Sequence, residues 1–198
     1  MNTVYTLFFA EPAVKKKEIL RYMSSVGGEN DLDSLIDECI EEARSVLEYK
    51  VCYCILPLSI DASRIILPCG EITSGNLAKN LRGCKKVIVF AATVGVGIDR
   101  LIAKYSRLSP AKAFCFQALG AERVEALCDD FCLGMSKNRR LRPRFSPGYG
   151  DLPLETQKMI FPLLDCPKRI GISLGDSLLM SPSKSVTAFV GIQQEVVQ

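Results

Sequence analysis

The densest basic cluster of the chain leads directly into a segment rich in proline and glycine. Arg139, Arg140, Arg142 and Arg144 lie within six residues, and residues 145–151 (FSPGYGD) follow at once. Proline fixes its own backbone torsion, whereas glycine permits torsions that other residues avoid. The combination indicates a stiff loop with an unusual path and several cations at its start.

Such a loop is suited to holding a small anionic ligand. The guanidinium group of Arg144 can bind a carboxylate through two parallel hydrogen bonds. Rigid backbone N–H and C=O groups can read an adenine edge without a large ordering cost. The residue types alone therefore predict an anion site around Arg144 and Tyr149.

A second glycine motif, Gly95-Val96-Gly97, follows an apolar segment and precedes an expected helix. A dinucleotide-binding turn has that context but requires a third small residue, and this chain has Arg100 there. An ordinary strand-to-helix turn is the favoured interpretation.

Two serine motifs match patterns found in hydrolases. Residues 175–178 (GDSL) resemble an esterase nucleophile segment, and residues 181–184 (SPSK) match the Ser-x-x-Lys pattern of penicillin-recognising enzymes. Activation of Ser177 would require a base, and the chain contains no histidine. The Ser-Asp-Asn and Lys-Thr-Gly motifs that accompany Ser181 in the second class are absent. A hydrolase is therefore a remote alternative.

The lack of histidine also excludes a Cys-His pair and a histidine-based metal site. Cys128 and Cys132 lie four residues apart on an expected helix, and Cys52 and Cys54 flank Tyr53 on an expected strand. Either pair could bind a soft metal. Without a Cys-x-x-Cys pair, packing as small apolar side chains is favoured. We predict neither a metal site nor a catalytic residue.

The composition describes an ordinary globular protein. The chain has 198 residues, 48% apolar residues and a net charge of +3. That charge is too small to indicate nucleic acid or a membrane as a partner, and no apolar stretch approaches the ~20 residues needed to span a bilayer. The nine scattered cysteines and the lack of a secretory signal favour a reduced, cytoplasmic protein.

The apolar spacing predicts one α+β domain over residues 1–198, with a mixed or antiparallel sheet flanked by helices. The expected helices cover residues 11–23 (with Pro12 in the first turn), 32–47 (capped by Asn30 or Asp31), 76–81, 113–135 and 154–164. The expected strands cover residues 51–58, 65–67, 87–91 and 185–192. Residues 137–153 are expected to form an ordered loop.

The segment Arg144-Phe-Ser-Pro-Gly-Tyr149 resembles the Arg-x-x-x-Gly-Tyr motif of the activation domain of cobalamin-dependent methionine synthase. The similarity continues through Leu152-Pro153 and residues 155–158 (ETQK) and extends to Ile192. Its matching positions downstream are Ile170-Gly171, Leu174, Asp176-Ser177, Met180, Pro182 and Ser185-Val186. It is specific from about residue 120 and faint before that.

The resemblance implies that the chain binds S-adenosylmethionine beside a cobalamin held by a partner protein. In that family, an electron from a flavodoxin-like or ferredoxin-like donor is coupled to methyl transfer from the sulfonium to inactive cobalt(II), which restores methylcobalamin. The cofactor and cosubstrate carry the chemistry, and the protein positions them. Because the sequence contains no corrinoid-binding module, we expect a stand-alone activation protein that docks onto a separate methionine synthase.

The resemblance also implies roles for five residues. Arg144 would hold the ligand carboxylate, Ser146 would contact the ligand through its backbone, Gly148 would allow close approach, and Tyr149 would line the pocket. Glu122 matches an acidic family position that faces the corrinoid, although a solvated helical acid like Glu125 or Asp129 is an equal alternative.

One functional alternative remains open. The same loop would serve an S-adenosylmethionine-binding module of another corrinoid methyltransferase, or a sensor that methylates nothing. The sequence does not separate these functions, since all three use the same ligand contacts.

Overall fold

The computed structural model of the protein describes residues 3–23 and 29–195, and the side chains of these residues except 29–31 and 194–195. The strands are β1 (Tyr5–Phe9), β2 (Tyr49–Pro57), β3 (Ser59–Asp61), β4 (Arg64–Leu67), β5 (Gly70–Thr73), β6 (Lys86–Thr93), β7 (Arg139–Leu141), β8 (Ser173–Leu174), β9 (Met180–Ser181) and β10 (Ser185–Glu195). The helices are α1 (Lys16–Met23), α2 (Glu29–Arg44), α3 (Gly75–Asn80), α4 (Gly97–Leu108), α5 (Pro110–Ser136), α6 (Gln157–Leu164) and α7 (Cys166–Ile170), with a 3-10 turn at Leu154–Thr156.

A five-stranded sheet of order β1-β2-β6-β10-β7 organises these elements. All its neighbouring strands are antiparallel. Strand β6 is central: its Thr93 lies opposite Lys50 of β2 on one side and Ser185 of β10 on the other. The predicted α+β class is confirmed, and of the two predicted sheet types the antiparallel one is present.

The sheet is covered on both faces, which explains the unbroken apolar run of β6. Successive side chains of a strand point to opposite faces. Ile88 and Phe90 belong to a core with α1, α2, α4 and α5, whereas Val87 and Val89 belong to a second core with α3, α6, α7 and strands β4 and β5. The predicted buried strand over residues 87–91 is confirmed.

Helix α5 has 27 residues and is the longest helix that the structure describes. Ser109 caps its start by accepting a hydrogen bond from the Lys112 N–H. Pro110 occupies the first turn, where a backbone N–H would have no partner within the helix, so proline is tolerated. The predicted apolar stripe is confirmed, since Phe116, Leu127 and their helical neighbours are buried. On another side of the helix, Glu125 and Asp129 face the basic loop and contact Arg144.

The segment before α1 departs from the prediction. The sequence predicts a helix from Glu11 with Pro12 in its first turn, but α1 begins at Lys16. The carbonyl groups of Pro12 and Ala13 instead accept hydrogen bonds of 2.6 and 3.0 Å from Arg123. This contact with α5, made by a residue more than one hundred positions away, holds the segment out of a helix.

One helix boundary and two strands also differ from the sequence predictions. Helix α2 begins at Glu29, before the predicted caps Asn30 and Asp31, whose side chains lie outside the described residues. Strand β1 covers a short apolar run for which no element is predicted. Strand β7 interrupts the predicted loop over residues 137–153.

None of the helices in the described part of the chain combines the length and the apolar character that a membrane-spanning helix needs.

Candidate functional site

The loop that carries Arg144 is fixed at its start by pairing with β10. The Arg142 N–H donates a hydrogen bond of 2.8 Å to the Gly191 carbonyl, and Phe145 and Phe189 exchange two bonds of 2.9 Å. These contacts add a short stretch of backbone to the sheet edge beyond β7. Arg144 lies between them, so its backbone is held beside the C-terminal half of α5.

The far end of the loop is fastened to the start of α3. The carboxylate of Asp151 accepts hydrogen bonds from the Ser74 hydroxyl, from the Gly75 N–H at 2.7 Å and from the Asn76 N–H at 3.2 Å. The hydrogen bond from Ser74, assisted by the two backbone bonds and opposed by desolvation, lowers the pKa of Asp151. A carboxylate at a helix N-terminus satisfies otherwise unpaired N–H groups.

Glycine shapes the turn between these two anchors. Gly148 has a φ of +90°, which L side chains rarely adopt, and an added Cβ would lie 3.3 Å from the Leu154 side chain. Its N–H donates a hydrogen bond of 2.9 Å to the Leu152 carbonyl. The turn leaves the side chain of Tyr149 69% exposed.

Arg144 is held by two carboxylates of α5. Its Nη2 lies 2.5 Å from Oε2 of Glu125, and its Nη1 lies 2.7 Å from Oδ1 of Asp129. The side chain of Arg144 is 25% exposed. Since a guanidinium group has five N–H donors, these two contacts leave donors for a ligand.

The charges around Arg144 stabilise one another. Burial raises the pKa of Asp129, but hydrogen bonds from Arg144 and Lys15 outweigh that effect and lower it below its ordinary value. Burial lowers the pKa of Arg144, but Asp129 and Glu125 raise it above its ordinary value. The cation and the Asp129 carboxylate therefore both persist at neutral pH.

Arg144 and Glu125 lie on the wall of a cavity of about 510 Å³. Of the five residues predicted from the sequence, Arg144, Ser146 and Tyr149 line this cavity, whereas Gly148 shapes the same turn without lining it. The other lining residues come from the loop, the 3-10 turn, α6 and strands β9 and β10: Phe145, Pro147, Leu154, Gln157, Met180, Ser185, Val186 and Thr187. The loop thus forms one wall of a mixed polar and apolar cavity.

Glu125 and Gln157 are lining residues that are not among the residues predicted for the site. Glu125 lies on a helix face where acids are usually solvated, so its type gives no signal of a site. Gln157 is only 2% exposed, and its Nε2 donates a hydrogen bond of 3.2 Å to the Leu178 carbonyl. It lies within the matched segment of residues 155–158, and that position is the one signal that could have identified it.

Glu122 is not brought to this cavity. It is 2% exposed, so the alternative of a solvated helical acid is wrong. Its carboxylate accepts bonds of 2.5 and 2.6 Å from the buried Arg123, and one of 3.0 Å from the Lys15 N–H. It lines a neighbouring cavity of about 300 Å³ that also contains Glu125. Its predicted role toward a corrinoid stays a prediction.

The Gly95-Val96-Gly97 turn serves packing. A Cβ on Gly97 would lie 2.2 Å from the Val46 carbonyl oxygen, so glycine is required for the close approach of α4 to the turn that follows α2. The contact supports the interpretation of an ordinary strand-to-helix turn.

Residues 175–178 form the turn of the β8–β9 hairpin, where the Leu178 N–H donates to the Gly175 carbonyl at 2.9 Å. The segment is thus a hairpin turn, which accounts for its glycine and aspartate without an esterase site. The cysteines follow the packing interpretation, since seven of the nine are buried and all nine are free thiols. Burial raises the pKa of Cys54 to about 12, which keeps that thiol protonated and unreactive.

Comparison with known proteins bears on the same loop. Residues 131–197 match the family described as vitamin B12 dependent methionine synthase, activation domain. The whole chain superposes on 82% of a solved structure, described as the MetH reactivation domain bound to AdoHcy, with a TM-score of 0.69 and 16% sequence identity. No sequence among the curated proteins matches the chain. The chain therefore carries the activation-domain sequence pattern over residues 131–197, and over its full length it adopts the fold of the MetH reactivation domain.

Proposed function

We propose that the protein binds S-adenosylmethionine in the cavity beside Arg144 and supports reductive methylation of inactive cobalt(II) cobalamin on a separate methionine synthase. One observation carries the proposal. A half-buried arginine on a doubly anchored loop lies at a cavity of about 510 Å³, and the loop belongs to the residues that match the activation-domain family.

The cavity suits this ligand in size and chemistry. Pockets for small molecules span roughly 300–1,000 Å³ and combine apolar walls with a few polar groups. Here Phe145, Leu154 and Met180 supply apolar surface for the nucleoside and the carbon chain of the methionine part. Ser146 and Thr187 supply polar groups. Arg144 retains donors for the ligand carboxylate.

When bound, S-adenosylmethionine supplies the methyl group. Its transfer from a sulfonium releases a neutral thioether and moves no proton, so the site needs no general acid or base. This agrees with a chain that lacks histidine. The contribution of the protein is to orient the ligand, which a loop tied to β10 at Phe145 and to α3 at Asp151 can do without further ordering.

The partner would approach at Tyr149. This side chain lines the cavity and is 69% exposed, as is Leu179 beside the lining residue Met180. Exposed aromatic and aliphatic side chains at the mouth of a site suit contact with a second protein. The cobalamin would be held by that partner, and a flavodoxin-like or ferredoxin-like donor would supply the electron.

A reconstitution experiment tests this function. The protein is mixed with the cobalt(II) form of a methionine synthase from the same organism, a reductant and S-adenosylmethionine, and methylcobalamin is followed by its absorbance spectrum. We expect formation with the wild-type protein and strongly reduced formation with Arg144→Ala. Methylation of a different corrinoid protein alone would assign the protein to another methyltransferase. Ligand binding without any methylation would indicate a sensor.

A further inference from the structure

Strand β1 forms one edge of the five-stranded sheet. Its residues, Tyr5–Phe9, pair with β2 on one side, and no backbone hydrogen bond joins them to any other described segment. In an antiparallel pair, alternate residues direct their N–H and C=O groups away from the partner strand. The outer side of β1 therefore presents a row of backbone donors and acceptors with which another strand can pair.

The side chains of this edge are largely apolar and exposed. Residues 3–10 (TVYTLFFA) contain neither a charged residue nor a proline. Phe8 is 73% exposed, Tyr5 is 48% exposed and Leu7 is 37% exposed. The first charged residue after the strand, Glu11, already lies in an ion pair. A short, uncharged strand of good β-formers with a free edge is prone to pair with another chain.

The other sheet edges are protected in ways that β1 is not. Strand β7, at the opposite edge of the same sheet, has three residues, two of which are arginines, and its register with β10 shifts. The edge strands of the small sheet, β3 and β5, carry Asp61 and Glu71. Charges, short length and bulges prevent pairing between edges. Among the described edge strands of three or more residues, β1 alone is uncharged.

The partner that fits this edge is a second copy of β1. The backbone requires a strand, and the uncharged side chains favour a strand of the same character. Two β1 strands can run antiparallel with Leu7 of each copy opposite Leu7 of the other. Tyr5 then lies opposite Phe9 of the second copy, and Thr6 lies opposite Phe8. All five residues of each strand are paired, aromatic side chains meet across the junction, and no charged residue of the strand meets its own copy.

We propose that two copies of the chain associate through β1, antiparallel about a two-fold axis at Leu7, and join their five-stranded sheets into one. Such an interface is self-complementary, as a two-fold dimer requires. The Arg144 loop lies beside β10 and β7, and β2 and β6 separate these strands from the junction. The cavity of each copy therefore stays open to a ligand. The dimer does not depend on the proposed function, and each stands if the other fails.

Charged substitutions at Leu7 test the pairing. Analytical ultracentrifugation measures the mass of the wild-type protein, Leu7→Glu, Leu7→Lys and an equimolar mixture of the two variants. We expect the wild-type protein to be a dimer at micromolar concentrations. In each variant alone, like charges lie directly opposite each other and destabilise the pair, so the dimer dissociation constant should rise about tenfold or more. In the mixture, opposite charges meet and a heterodimer should form.

Two further variants complete the test. Leu133→Glu is the matched control, because Leu133 is 67% exposed and lies on α5, and it should leave the dimer unchanged. Phe8→Glu alters the most exposed side chain of β1 and should weaken the dimer, with thermal unfolding as the check on the fold of every variant. A monomeric wild-type protein, or a dimer that Leu7→Glu and Phe8→Glu leave unchanged, would overturn the proposal. Folded, monomeric Leu7 variants whose mixture does not associate would overturn the two-fold pairing at Leu7.

Discussion

The carboxylate of Asp151 accepts a hydrogen bond of 2.7 Å from the backbone N–H of Gly75, and through it the loop that carries Arg144 is fastened to the start of α3. The two residues are 76 positions apart in the sequence. The capping of a short helix and the position of the predicted ligand site thus depend on one side chain.

Replacing Asp151 by asparagine should loosen this anchor. We expect a lower Tm at neutral pH and a several-fold weaker affinity for S-adenosylmethionine, measured by thermal unfolding and calorimetry. The pKa of Asp151 lies below its ordinary value of 3.8 in the folded protein. Its contribution to stability is therefore full above that value and is lost as the pH falls through the folded pKa.

The Tm difference between wild type and Asp151→Asn should accordingly be constant near neutral pH and shrink below about pH 4. A difference that persists undiminished at pH 2 would show that the charge of Asp151 does not stabilise the anchor.

Replacing Glu122 by glutamine should destabilise the fold. The change leaves Arg123, which is fully buried, without its anionic partner, and breaking a buried ion pair costs on the order of 3–5 kcal/mol. Chemical denaturation measures the free energy of unfolding. Glu18→Gln serves as the control, because its ion pair with Arg21 is exposed and should change stability by less than about 1 kcal/mol.

The same variant also tests the predicted corrinoid role of Glu122. If Glu122 acts only through Arg123, the folded Glu122→Gln protein should support methylcobalamin formation at close to the wild-type rate. A large loss of methylation with unchanged stability would instead favour the corrinoid role.

Replacing Gly148 by alanine should strain the turn. A φ of +90° costs an L residue roughly 1–2 kcal/mol, so we expect that loss in denaturation, together with weaker ligand binding. Gly134→Ala is the matched control, because Gly134 lies in α5 with nothing within 4 Å of an added Cβ. It should stabilise the helix by about 0.5–1 kcal/mol. Equal effects of the two substitutions would contradict the role of Gly148.

The elements with strong local patterns were predictable from the sequence. The apolar run of β6 and the stripe of α5 follow directly from side-chain spacing. The loop at Arg144 was predictable because proline, glycine and arginine have distinct backbone and hydrogen-bonding properties.

The unpredicted features depend on contacts between distant residues. The segment around Pro12 is kept out of a helix by Arg123, which no local pattern reveals. Glu125 and Glu122 both have the local character of solvated helical acids, yet one lines the cavity beside Arg144 and the other is buried in an ion pair. Only the packing of α5 against the loop and the N-terminal segment distinguishes them.

The central claim is that Arg144 binds the carboxylate of S-adenosylmethionine, and titration calorimetry of the wild-type protein and Arg144→Ala tests it most directly. We expect measurable binding by the wild-type protein and a loss of roughly 1.5–3 kcal/mol in the variant, the range for a hydrogen bond to a charged group. Equal affinities in the two proteins would contradict the account.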